Sequence, residues 1–104
     1  MSRNYEIQVE IFPCPYKDEP RITDVLADWG MEIESDCESF DHEDHDGWSF
    51  WGNIQLAGSR TEEDKHEQLR TLLPDRALTS RWRWVDDDQP WDDVIETDPI
   101  KPAE

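Results

Sequence analysis

The chain has 104 residues, with 27 Asp and Glu against 10 Lys and Arg, for a formal net charge of −17. That length holds one domain with a single modest core. A surface this acidic repels phosphate backbones and anionic lipid, which excludes ordinary nucleic-acid and membrane binding. No apolar run nears the ~18 residues of a membrane span, and no basic start leads into an apolar stretch, so a cytoplasmic protein is expected.

The first element in chain order is "YEIQVEI", residues 5–11, where Tyr5, Ile7, Val9 and Ile11 alternate with Glu6, Gln8 and Glu10. Strict alternation predicts a half-buried strand. Ile22, Val25, Leu26 and Trp29 then fall at helical spacing, with Pro20 near the start and Gly30 past the end. This predicts a short amphipathic helix stopped by glycine. Met31, Ile33 and Cys37 form the apolar side of a second strand, opposed by Glu32, Glu34, Asp36 and Glu38. Asp46-Gly47 signals a two-residue hairpin turn, and Trp48, Phe50, Ile54 and Leu56 beyond it make the inward side of a third strand. "SRTE", Ser59 to Glu62, has the form of a capping box. It opens a helix to about Leu73, with Leu69, Leu72 and Leu73 inward and His66 on the solvated side. "RWRWV", residues 81–85, sets Trp82 and Trp84 against Arg81 and Arg83 in a last strand.

Strand, helix, strand, strand, helix, strand predicts an α+β, ferredoxin-like βαββαβ fold. Its four-stranded antiparallel sheet has the order 4-1-3-2, with two helices on one face. The last strand lies beside the first, so Arg81 and Arg83 sit across from Glu6, Gln8 and Glu10 on the open face. Residues 1–97 form the single domain and 98–104 a disordered tail. The acidic segment 86–97 either packs back on the sheet or serves as a docking peptide, and Trp91, Val94 and Ile95 predict a short helix from Pro90. Cys14 and Cys37 have neither C-x-x-C nor zinc spacing, and an intervening strand holds them too far apart for a disulfide. Free thiols are expected.

Chemistry-bearing residues concentrate in "SFDHEDHDGWSFW", residues 39–51. With Asp46 and Gly47 in the turn, Glu43 faces Phe50 and His42 faces Trp51. His42 and His45 then point to opposite faces and cannot share an ion without a bulge. An EF-hand fails as well, because His42 would stand first and Asn53 twelfth. Asp41, His42, Asp44, His45 and Asp46 form the alternative set, for a divalent metal or small ligand. No P-loop, nucleophile elbow, dinucleotide fingerprint or triad spacing occurs, and no enzyme activity or cofactor is expected. The sequence reads as a small acidic interaction protein: an inhibitor, a regulator or a mimic of a nucleic-acid surface. It would bind a basic protein partner through Phe40, His42, Trp51, Arg81, Arg83 and Trp91, as a monomer or as a homodimer through the open face.

Overall fold

A computed structural model describes residues 3–12, 14, 16–34, 38–42, 45–57, 60–85, 91 and 94–100, with backbone alone at 3, 16, 38–42 and 45. Strand β1, Arg3–Phe12, carries the expected alternation. Tyr5, Ile7, Val9 and Ile11 are buried, while Glu6, Gln8 and Glu10 are half-exposed on the opposite face. After a 3-10 turn at Tyr16–Asp18 comes helix α1, Glu19–Trp29, which buries Ile22, Leu26 and Trp29. Pro20 stands in its first turn, where a missing N–H costs nothing. Gly30 ends it at φ 111°, a left-handed conformation that glycine takes without a Cβ penalty.

The remaining elements are β2 (Glu32–Ile33), β3 (Glu38–His42), β4 (His45–Leu56), α2 (Glu62–Leu72), β5 (Ala77–Trp84) and β6 (Ile95–Thr97). The antiparallel sheet runs β2-β4-β1-β5-β6, and β3 pairs β4 along the edge that β2 also uses. Phe50, Ile54, Leu56, Leu78 and Trp82 join the inward residues of β1, and Ile22, Leu26, Trp29, Leu69 and Leu73 close the core from the helices. The two helices are tied by Trp29, whose indole N–H donates to the Lys65 carbonyl at 2.9 Å.

Among the described residues the architecture is therefore α+β with two helices against an open antiparallel sheet, and four strands of order 4-1-3-2 do not describe it. The expected second strand is broken into β2 and β3. Ile33 pairs with Gly52 and Glu38 with Ser49, so β2 to β3 advances five residues while β4 advances three. A further strand, β6, adds to β5 at the other edge.

The hairpin turn also lies elsewhere. His42 pairs with His45, which leaves the connection at positions 43 and 44, and Asp46-Gly47 belongs to β4 opposite Asp41 and Phe40. The reason is a tether. Only Gly30 and Met31 separate α1 from β2, and a turn at Asp46-Gly47 would set Ile33 opposite position 60, past the end of β4 at Leu56. Local turn chemistry yields to that constraint.

Two helix expectations change as well. Helix α2 is capped by Thr61, not Ser59: the Thr61 hydroxyl accepts from the Asp64 amide at 3.1 Å, and the Asp64 carboxylate accepts from the Thr61 amide at 3.4 Å. Glu62, Glu63 and Asp64 then occupy the first turn, where the helix dipole favours negative charge. In this frame Leu72 is 47% exposed and His66 faces inward. Of the expected Trp91, Val94, Ile95 helix, Trp91 and Val94 are not helical and Ile95 lies in a strand. Residues Ile95–Thr97 instead pair with Leu78, Thr79 and Ser80, giving the β5 edge partners for its backbone. Asp98 follows and accepts from the Arg70 guanidinium at 3.3 Å through its carbonyl.

Cys14 is buried with a free thiol, and burial pushes its pKa up to about 11, so it stays protonated. Cys37 lies outside the described residues.

Candidate functional site

The face of the sheet away from the helices presents cross-strand rows of polar side chains. Glu6 stands between Asn53 on β4 and Arg83 on β5, and Gln8 between Trp51 and Arg81. Glu10 stands between Ser49 and Thr79, and Thr79 in turn pairs with Glu96 of β6. The sequence had set Arg81 and Arg83 beside these glutamates, and the register does so. Arg83 Nη1 reaches Glu6 Oε2 at 3.7 Å with both side chains more than a third exposed, so solvent screens the pair to ~0–1 kcal/mol. Gln8 donates to Ser49 Oγ at 3.2 Å and Asn53 donates to Glu34 Oε1 at 3.0 Å. Gln8 also donates to Glu10 Oε1 at 3.4 Å, so side-chain amides hold the Glu10 and Glu34 carboxylates.

The aromatic grouping differs from expectation. His42 pairs with His45 rather than with Trp51, and Trp51 lies six positions further along extended β4, ~20 Å from that pair. Phe40 pairs with Gly47, and the side chains of Phe40 and His42 lie outside the described residues. Trp51 meets Trp91 instead, ring centroids 6.4 Å apart and planes at 86°, an edge-to-face arrangement. A cavity of about 150 Å³ opens beside them, lined by Glu6, Ile7, Glu34, Trp51, Gly52 and Trp91. Thus Trp51, Trp91 and Arg83 gather around Glu6, and Arg81 lies one row away. A second concavity of about 650 Å³ lies toward β6, with Glu10, Thr79, Arg81 and Glu96 on its wall.

The register also corrects the reading of the histidines. The expected hairpin had both on one strand, whereas His42 and His45 belong to β3 and β4 and pair across them. Among the described residues no three His, Cys, Asp or Glu converge on a metal position; the side chains of Asp41, His42, Asp44 and His45 lie outside that set.

One polar constellation escaped the sequence. His66 is 1% exposed; its Nδ1 lies 2.7 Å from Ser80 Oγ and its Nε2 lies 2.9 Å from Thr97 Oγ1. Trp82 Nε1 donates to the same Ser80 oxygen at 2.8 Å. The hydroxyls serve either imidazole tautomer, since each can donate or accept. A serine against a histidine suggests a nucleophile and its base, yet Ser80 is fully buried, its oxygen holds an indole N–H, and neither residue lines the cavities of the open face. The cluster pins α2 to β5 and β6. Its signal was present: His66, Leu69 and Leu73 fall at i, i+3 and i+7, but flanking Glu62, Glu63 and Arg70 suggested a solvated side.

Burial lowers the His66 pKa from 6.5, with Glu67 opposing and Arg70 reinforcing that shift. The folded state thus keeps the ring neutral while the unfolded chain takes up a proton below about pH 6.5. Stability from this residue is full above that pH and declines as pH falls toward the lower folded pKa, by about 1.4 kcal/mol per unit of separation. Denaturant melts from pH 7.5 to 5 should show this decline in the wild type relative to His66→Gln; parallel pH profiles would refute it.

The sequence matches no family model, no curated protein and no solved structure. Among the described residues, no helix is long and apolar enough to cross a membrane. The functional reading therefore stands on the site alone.

Proposed function

We propose that this chain is a small non-catalytic binding protein whose open sheet face engages a basic protein partner, as an inhibitor, a regulator or a mimic of a nucleic-acid surface. One observation carries the reading: half-buried Trp51 and Trp91 stand edge to face among Glu6 and Glu34, on a face that also presents Glu10 and Glu96. Aromatic anchors ringed by charge are the usual make-up of a binding hot spot and its rim. The net charge of −17 adds long-range attraction for a basic surface.

The test is capture from a lysate of the source organism, eluted with stepped salt, using wild type and a Glu10→Gln, Glu34→Gln, Glu96→Gln variant. A basic partner retained by the wild type, released at moderate salt and absent from the variant is the expected result. Equal retention by both proteins would reject the face as the binding surface.

A second reading has its own observation. Pairing of the His42 and His45 backbones at the end of β3 and β4 brings two histidine positions of the sequence opposite one another, and histidine with Asp41, Asp44 or Asp46 nearby in sequence is the donor set a divalent cation such as zinc takes. Zinc bound only by the folded chain must raise the melting midpoint, by ~2.7 kcal/mol of stability at a hundredfold excess over Kd. A rise that EDTA reverses and that His42→Ala abolishes is the outcome this reading requires; a midpoint indifferent to both rejects zinc.

A further inference from the structure

We infer that the cavity between Trp51 and Trp91 is a recognition pocket for one alkylammonium head, of the lysine or methylated-lysine type, presented by the partner. This rests on the basic-partner reading above and names the group that would enter the site.

The two indoles stand at 86°, so a guest in the corner meets the electron-rich face of one ring and the side of the other. Cations are drawn to indole faces, most strongly where water is excluded, and perpendicular aromatic walls are the general solution for ammonium heads whose positive charge is spread over methyl groups. Glu6 and Glu34 line the same cavity and supply the negative charge. Glu6 pairs with Arg83 at 3.7 Å, and Glu34 accepts from the Asn53 amide at 3.0 Å. A volume of about 150 Å³ suits a single side-chain head; a cavity of that order takes one benzene-sized group.

Shape selects between the basic side chains. A guanidinium is flat and favours a bidentate fork onto a carboxylate, and Arg83 already stands on Glu6. A rounded ammonium on an apolar stem fits a corner of two rings better. The chain makes the same kind of contact elsewhere, with the Lys65 ammonium 5.5 Å from the Trp29 ring centroid.

The experiment follows the indole N–H resonances of Trp51 and Trp91 during titration with Nα-acetyl-trimethyllysine amide. Parallel arms use its neutral carbon isostere, the unmethylated lysine amide and the arginine amide. A saturable shift at both indoles is expected, with binding at least about tenfold weaker for the neutral isostere and weaker for arginine. Trp91→Ala and Glu34→Gln, each checked for an unchanged melting midpoint, should both weaken trimethyllysine by about tenfold. No saturation, equal binding of the isostere, or undiminished binding by both variants would overturn the pocket. The probe result is independent of lysate capture: a partner held by Trp91→Ala at wild-type affinity would overturn the pocket and leave the acidic-face reading standing.

Discussion

Gly52→Ala is expected to lower the melting midpoint sharply and to release β2 from the sheet. A Cβ on Gly52 would lie 2.0 Å from the Glu32 carbonyl oxygen and 2.9 Å from its carbon, both backbone atoms that cannot swing aside. Real Cβ atoms essentially never approach below 3.0 Å, so one strand must move. The displaced strand is β2, whose pairing with β4 consists of Glu32 with Asn53 and Ile33 with Gly52, continued by the Glu34 amide on the Trp51 carbonyl at 2.8 Å. Overpacking against backbone costs ~1–3 kcal/mol or more, and each kcal/mol shifts the midpoint of a domain this size by about 4–8 °C. Amide exchange at Glu34 should accelerate with the melt, because its hydrogen bond goes with β2. The functional consequence follows directly, since Glu34 lines the Trp51 cavity. A midpoint within a degree of wild type, with the Glu34 amide still protected, would contradict this placement of β2.

Trp82→Ala carries the other large effect, a loss of ~3–5 kcal/mol against a total of ~5–15 kcal/mol for a domain. Trp82 is fully buried on β5 opposite Ile7. It meets Tyr5 edge-on at 5.7 Å and Trp29 at 6.1 Å, joining the sheet to α1. Its indole N–H also holds Ser80, so truncation removes a ring and one arm of the His66 cluster together. Trp82→Phe should fall between, keeping ring contacts and losing the hydrogen bond. Trp51→Ala and Trp91→Ala, taken from half-buried rings on the open face, should cost far less in urea melts. An equal loss for Trp82→Ala and Trp51→Ala would place the core on the wrong side of the sheet.

How legible these features were depended on the range of the forces that set them. β1 alternates along its length and β5 from Leu78 to Arg83, each central in the sheet, so Glu6 with Arg83 and Gln8 with Arg81 followed from sequence. Gly30 announced the end of α1 because a left-handed residue is a local requirement. The hairpin misled for the converse reason. Asp46-Gly47 is a good local turn, but the two-residue link from α1 and the close approach at Gly52 decide the register from outside the hairpin. β6 spans three residues, too few to show a period. Trp51 and Trp91 are forty residues apart, and their contact leaves no mark on the residues around either. The field of the open face and both tryptophans as members of it were therefore legible, while the contact between the two rings was not.

If this face attracts a basic partner by charge, the association rate constant of that partner must depend on salt. Between about 50 and 500 mM salt, the rate for wild type should fall by about tenfold or more, as electrostatic steering requires. The Glu10→Gln, Glu34→Gln, Glu96→Gln variant should start slower and show a much flatter dependence. Identical rates and identical salt slopes for the two proteins would contradict the account.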